Sequence, residues 1–156
     1  MDDASLKARV LDLIPQQRPF RFIDEIVEVD ENKITAVYRF REDEYFYRGH
    51  FPDYPVTPGV ILIETMAQAG VVALGIAVLL LQQKTVSEIR AMKTLFTMAE
   101  SVEFTGMVSP GEKVVISGEK VYFRRGSIKT KAGIARENGE SVCTGLLMGT
   151  GVKLNE

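Results

Sequence analysis

The chain holds a single cysteine, Cys143, and a single histidine, His50, among its 156 residues. One cysteine excludes an intrachain disulfide framework, and one histidine leaves no Cys/His zinc pattern, so no metal is expected. A reducing, cytoplasmic setting is the natural reading. Basic charge is not in excess: 19 Lys and Arg against 21 Asp and Glu give a net charge of -2 and a pI near 5.6. Nucleic acid is therefore not expected as a partner, because a phosphate-binding domain carries a strongly basic balance. Long apolar runs are missing as well. The strictly apolar part of the longest uncharged run, Ala69 to Leu81, covers thirteen residues. That is short of the ~18 a membrane span needs, and suits a buried core helix. The N-terminus "MDDASLKARVLDLIP" opens on two aspartates and does not read as a secretory signal.

What is present is an ordinary globular composition, 46% hydrophobic and 26% charged, enough for one domain over residues 1–156 with one core. Leu6, Val10, Leu13 and Ile14 fall at helical spacing; Ser5 or an aspartate can cap that helix and Pro15 stops it. "PFRFIDEIVEVDENKITAVYRFRED" reads as two strands joined by a polar turn at Asp30 to Lys33. In the second strand Ile34, Ala36, Tyr38 and Phe40 alternate with outward residues. From Val60 to about Leu81 apolar residues surround any helix that can be drawn, so protein must surround that helix. The segments "SVEFTGMV", "EKVVISGEKVYF", "SIKTKAGIARE" and "ESVCTGLLMGTGVKL" read as strands. Breaks fall at Ser109-Pro110-Gly111, Arg125-Gly126 and Asn138-Gly139, the last a tight-hairpin signal. The simplest architecture is α+β, one antiparallel sheet wrapped around one buried helix.

The chemistry concentrates in "GHFPDYPVTPGVILIETMAQ", Gly49 to Gln68. Pro52, Pro55 and Pro58 fix the backbone three times within seven residues and hold the His50 imidazole in place. Pro58 suits a first helical turn, and the free N–H groups around Gly59 and Val60 favour a developing negative charge such as an enolate or thioester oxygen. Glu64 follows about one turn further in. Gln68 lies four residues beyond on the same face, where its amide can orient the carboxylate. A lone histidine is more often structural, and the proline loop alone would make a structural corner. A carboxylate in an all-apolar helix is harder to dismiss: burying it costs several kcal/mol unless it is paired or keeps its proton. Within one chain the two groups are separated, since Glu64 lies about 9 Å along a helix rising roughly 1.5 Å per residue and His50 precedes the helix start. Either a second subunit supplies the missing partner or the loop folds back.

These residues resemble the signature of the β-hydroxyacyl-acyl carrier protein dehydratases of fatty acid synthesis, of the FabZ type. The pattern His-Phe-Pro-x-x-Pro-x-x-Pro-Gly-Val followed by Glu and Ala-Gln is long and specific. "LIPQQRPFRFIDEI" is similar to the family's Leu-Pro-x-x-x-Pro-Phe-x-x-x-Asp segment, and "VSPGEKV" to its Val-x-Pro-Gly-Asp turn. The chain departs from the family at Gln16, where histidine is frequent, and in "VEFTGM", where a basic residue followed by proline is usual. The resemblance implies a hotdog fold paired into a double-hotdog homodimer, and a trimer of dimers. It implies a catalytic dyad of His50 from one subunit and Glu64 from the other, with Gly59 offering its N–H to the thioester carbonyl and Gln68 supporting Glu64. Aspartate is typical of the isomerising branch at the position of Glu64, so dehydration without isomerisation is expected.

Removing water from a 3-hydroxyacyl thioester needs a base for the C2 proton, an acid for the departing hydroxyl and donors for the enolate-like oxygen. His50 as base, Glu64 as acid and the N–H groups of Gly59 and Val60 meet that need, although the residue types are equally compatible with exchanged roles. No cofactor is required. The partner implied is an acidic acyl carrier protein. "KVYFRRGSIKTK" carries five basic residues and no acidic one, so Arg124, Arg125, Lys129 and Lys131 are candidates for steering it, or else a solvated basic edge strand. Met66, Met92, Phe96 and Met98 are candidate tunnel walls or plain core. Three alternatives stand beside the dehydratase reading: a hotdog acyl thioesterase, a non-catalytic acyl-binding protein, and a related dehydratase of a secondary lipid or polyene pathway.

Overall fold

The computed structural model describes residues 1–154. Helix α1 (Asp3–Leu13) starts where the Asp2 carboxylate accepts the Ser5 N–H at 2.8 Å, and it buries Leu6, Val10 and Leu13. Strands β1 (Glu25–Val29) and β2 (Lys33–Arg39) form the expected hairpin. Its turn is set by Asp30, whose Oδ1 accepts the N–H groups of Asn32 and Lys33. Ile34, Ala36, Tyr38 and Phe40 all point into the core as their alternation predicts. The first strand is shorter than expected. Pairing with β2 begins only at Asp24, whose N–H donates to the Val37 carbonyl at 2.9 Å, because the Phe20 carbonyl and the Phe22 N–H before it bond a side chain of the central helix instead.

That helix, α2, runs Gly59–Leu81 without interruption and widens into a π-helical segment at Gln68–Ala73. It is long and apolar enough to cross a membrane by composition, yet 83% of its apolar window is buried inside the fold. A short helix α3 (Val86–Arg90) follows, opened by a capping box between Thr85 and Glu88. The remaining strands are β3 (Met92–Phe104), β4 (Lys113–Arg124), β5 (Ser127–Arg136) and β6 (Ser141–Lys153). All pairings are antiparallel and the order is β1-β2-β4-β5-β6-β3. The tightest hairpin is Arg125-Gly126 between β4 and β5, with φ of 52° and 74°, whereas Asn138-Gly139 sits in a longer loop.

One expectation is corrected. The third strand was expected over Ser101 to Val108, but β3 begins nine residues earlier, at Met92, and ends at Phe104. Register shifts between Phe96 and Met98 and between Glu100 and Glu103 break its alternation, so the period of two is invisible in its sequence.

The sheet curls round α2 so tightly that the backbones meet. A Cβ on Gly118 of β4 would lie 2.7 Å from the Gly70 Cα. Phe22, Phe40, Met66, Leu74, Ile116, Ile134 and Leu147 fill the rest of the core. Cys143 is buried there with its thiol pushed up to about 11 by desolvation, which leaves it without nucleophilic character. The outer edge of β3 pairs with no strand among the described residues.

Candidate active site

His50 is held by its own loop. Its N–H donates to the Phe46 carbonyl at 3.1 Å and its carbonyl accepts the Val56 N–H at 3.0 Å. The ring Nδ1 lies 2.9 Å from the Val56 carbonyl oxygen. A carbonyl only accepts, so Nδ1 carries a proton, and in the neutral ring the lone pair of a base is then on Nε2. The imidazole stacks on Phe51 at 4.2 Å between centroids. Two residues with no sequence signal brace the loop: the Thr57 N–H donates to the Val108 carbonyl, and the Thr57 hydroxyl lies 2.7 Å from that of Tyr47. Burial pushes the Tyr47 phenol up to about 12, so that contact stays neutral.

The α2 start differs slightly from expectation. Pro58 is the residue before the first turn, and Gly59 opens the helix. The Pro58 carbonyl accepts from Ile61 and Leu62, while the Gly59 and Val60 N–H groups find no acceptor among the described residues. The Phe104 ring covers Gly59, and a Cβ there would sit 3.1 Å from it. This is a pair of donors without acceptors beside an aromatic wall.

Five residues along, Glu64 faces a cavity of about 200 Å³ walled by Gln16, Ala67, Val71, Val72, Thr94, Leu95 and Phe96. Gln68 is fully buried, and its amide orientation is unambiguous. Its Oε1 accepts the Phe22 N–H at 2.8 Å, and its Nε2 donates to the Phe20 carbonyl at 2.8 Å and to Glu64 Oε1 at 3.1 Å. Desolvation lifts the Glu64 pKa above the ordinary carboxylate range, and the Gln68 hydrogen bond only partly opposes it. The structure therefore brings Glu64 and Gln68 together as their spacing predicts. It does not bring His50 into the walls of the Glu64 cavity.

The described residues contain no cluster of three or more His, Cys, Asp and Glu that could hold a metal. The basic candidates separate. Arg124 and Arg125 stand at the β4–β5 tip, Arg124 stacked over Tyr122 at 4.6 Å, beside a groove of about 520 Å³ shared with Lys84, Glu88 and Lys153. Lys129 and Lys131 lie on β5, where Lys131 faces Glu119 across the ladder. Of the tunnel candidates, Met92 and Phe96 line cavities and Met66 is core.

The model of the FabA-like domain matches residues 14–146. The chain belongs to the FabA-like family. The 3-hydroxyacyl-[acyl-carrier-protein] dehydratase FabZ of Bacillus licheniformis is 38% identical over 141 residues, covering 90% of this chain and 91% of that one. The enzyme of the same name from Caldicellulosiruptor bescii is 36% identical over 90% of this chain and 94% of its own. Among solved structures, the dehydratase heterocomplex ApeI:P from Xenorhabdus doucetiae superposes with a TM-score of 0.73 at 16% identity, over 94% of this chain and 91% of that chain. A Haemophilus influenzae thioesterase superposes at 0.56 and 17% identity, over 85% of this chain and 80% of that chain. At those identities the two structures speak to the fold, which is the hotdog fold.

A carboxyl whose folded pKa is raised stabilises the fold fully below its unfolded pKa and loses that contribution as pH rises through the folded value. Glu64→Gln is therefore expected to match wild type in urea unfolding below about pH 4, where a free glutamate is protonated, and to become the more stable protein as pH rises above it. Parallel stability curves across pH 4 to 8 would contradict the raised pKa.

Proposed function

We propose that the chain removes water from 3-hydroxyacyl-[acyl-carrier-protein] thioesters to give trans-2-enoyl thioesters in fatty acid biosynthesis, as one domain over residues 1–156 working in the cytoplasm. The observation that carries this reading is Glu64, its pKa raised by burial, oriented by Gln68 and facing a cavity walled by Val71, Val72, Leu95 and Phe96 as well as Gln16 and Thr94, in a chain 38% identical to a named dehydratase. His50 Nε2 takes the C2 proton while the N–H groups of Gly59 and Val60 receive the negative charge that develops on the thioester oxygen. The electron pair forms the C2–C3 double bond, the C3–O bond breaks, and Glu64 protonates the leaving hydroxyl as water. Proton transfer from the imidazolium to the carboxylate resets the pair. The elimination needs neither metal nor organic cofactor. Glutamate rather than aspartate at position 64 goes with dehydration without isomerisation.

The working unit in this proposal is a homodimer, with the trimer of dimers resting on resemblance alone. The free β3 edge exposes Leu95, Phe96 and Phe104 by 50, 43 and 50%, with Val60 beside it exposed by 72%. Such an apolar edge invites pairing. Antiparallel pairing of two β3 edges would cover Leu95 and Phe96 at the Glu64 cavity, and the partner subunit's His50 would complete the dyad. The same pairing supports a docking surface for the carrier protein. The Met92 end of β3 lies by Arg125 and Gly126, and its Phe104 end lies over Gly59. An antiparallel two-fold therefore sets the partner's Arg124 and the partner's Arg125 beside the helix start, with Lys129 and Lys131 extending that basic surface along β5.

Two measurements test this. Following the conjugated double bond by absorbance, wild type should interconvert 3-hydroxyacyl and enoyl thioesters, with His50→Ala and Glu64→Gln folded and slower by about 10² or more. Release of free thiol in place of the double bond would identify a thioesterase. Reversing charge at Arg124 and Arg125 to glutamate should raise KM for carrier-linked substrate by about tenfold and spare a short pantetheine mimic. Equal losses on both substrates would remove those arginines from carrier binding.

A further inference from the structure

Three buried side-chain polar atoms have no hydrogen-bond partner among the described residues: Arg21 Nε, Thr130 Oγ1 and Gln16 Oε1. A buried polar atom left unpaired costs stability, so each needs a reason. Arg21 still bonds the Leu11 carbonyl through its Nη2. Thr130 lies in the core against Gly70. Gln16 differs from both, because it walls the cavity of about 200 Å³ that Glu64 faces.

The chain holds Gln16 on both sides. Ile14 before it is buried, and the Gln17 side chain donates to the Ile14 carbonyl at 3.2 Å. The Gln17 carbonyl accepts the Phe20 N–H at 2.8 Å, and the Phe20 carbonyl is held in turn by Gln68. The segment carrying Gln16 is therefore tied to the same amide that orients Glu64. In that carboxyl Oε1 accepts from Gln68 Nε2, which leaves Oε2 to carry the acid proton. A cavity of this size has room for a water-sized group between the two side chains.

We propose that Gln16 Oε1 accepts the hydrogen of the substrate's C3 hydroxyl and so makes the site selective for 3-hydroxyacyl chains. The inference rests on the dehydratase reading and adds the group that recognises the leaving hydroxyl. A hydroxyl both donates and accepts. To leave as water its oxygen must receive the Glu64 proton, so its own hydrogen needs a separate acceptor. The Gln16 carbonyl oxygen only accepts, and nothing else among the described residues occupies it. Turned the other way, the Gln16 NH₂ would set a second donor against the hydroxyl oxygen and leave the hydroxyl hydrogen unpaired, so the reaction selects the amide with its oxygen inward. Thr94, the third polar side chain in the wall, has a proton of its own and is no obligate acceptor. When the C3–O bond breaks, the oxygen keeps its hydrogen, gains the Glu64 proton and leaves as water still bonded to Gln16. A chain without the hydroxyl leaves Gln16 Oε1 unpaired, and a site built for a hydroxyl discriminates against such a chain.

The test is calorimetric binding of two unreactive alkyl pantetheine thioethers of equal length, one hydroxylated at C3 and one not. Wild type should bind the hydroxylated ligand about tenfold more tightly. Gln16→Met keeps the length of the side chain without the acceptor. It should bring that ratio to about twofold or less while the deoxy ligand stays within about twofold of its wild-type affinity. Gln16→Leu repeats the measurement if Gln16→Met does not fold. In turnover, Gln16→Met should lower kcat/KM for the 3-hydroxyacyl thioester by about tenfold. Equal weakening of both ligands would mark Gln16 as merely structural. That result, an unchanged ratio, unchanged turnover, or a wild type that does not prefer the hydroxyl would each overturn the assignment. Collapse of the ratio in Gln16→Met beside a wild type inert in the double-bond assay supports the hydroxyl contact and sinks the dehydratase reading alone.

Discussion

Gln68 ties three parts of the molecule together through one buried amide. Its oxygen holds the Phe22 N–H, and its nitrogen holds the Phe20 carbonyl and the Glu64 carboxyl. The non-helical segment before β1, the central helix and the acidic side chain therefore share a single fixed point. Reversing that amide would set donor against donor at Phe22 and acceptor against acceptor at Phe20, so the NH₂ group always faces Glu64. One hydrogen bond is too little to offset burial of a full negative charge. The carboxyl is both oriented and kept prone to hold its proton, the pairing an acid in catalysis requires.

Rigidity elsewhere serves the same geometry. The His50 ring is locked by its own loop through the Val56 carbonyl, and the loop is in turn fastened to the chain around Val108 by Thr57. Backbone contact between Gly70 and Gly118 sets the depth at which α2 sits in the sheet, which sets where Glu64 and the N–H groups of Gly59 and Val60 emerge. Each half of the proposed site is built on regular structure or a braced turn. What one chain leaves open is the β3 edge, and the open edge adjoins the cavity in which Glu64 lies.

Much of this was legible in the residues. The period of two in Ile34 to Phe40, the all-apolar helix after Pro58 and the four-residue step from Glu64 to Gln68 are each local patterns with one physical meaning. The FabZ signature carried the fold and the family. What stayed hidden is non-local. The bulges that put β3 out of phase, the hydrogen bonds that keep Phe20 and Phe22 out of the sheet, and Glu119 lying opposite Lys131 all depend on a neighbour that the chain alone does not name. Helix α3 is different: Thr85 and Glu88 spell out a capping box, but five residues are too few for a helical period to show. Thr57 and Tyr47, which brace the histidine loop, carry no signal in either composition or spacing.

The central claim is a site shared by two subunits, and mixing two inactive variants addresses it most directly. His50→Ala and Glu64→Gln proteins would be unfolded together, refolded and assayed for dehydration, with mixed dimers counted by native mass spectrometry. If His50 of one subunit works with Glu64 of the other, each mixed dimer keeps one intact site, and random pairing restores roughly a quarter of wild-type activity. If both residues act within one chain, mixed dimers form and activity stays at the level of the separate variants, which would contradict the account.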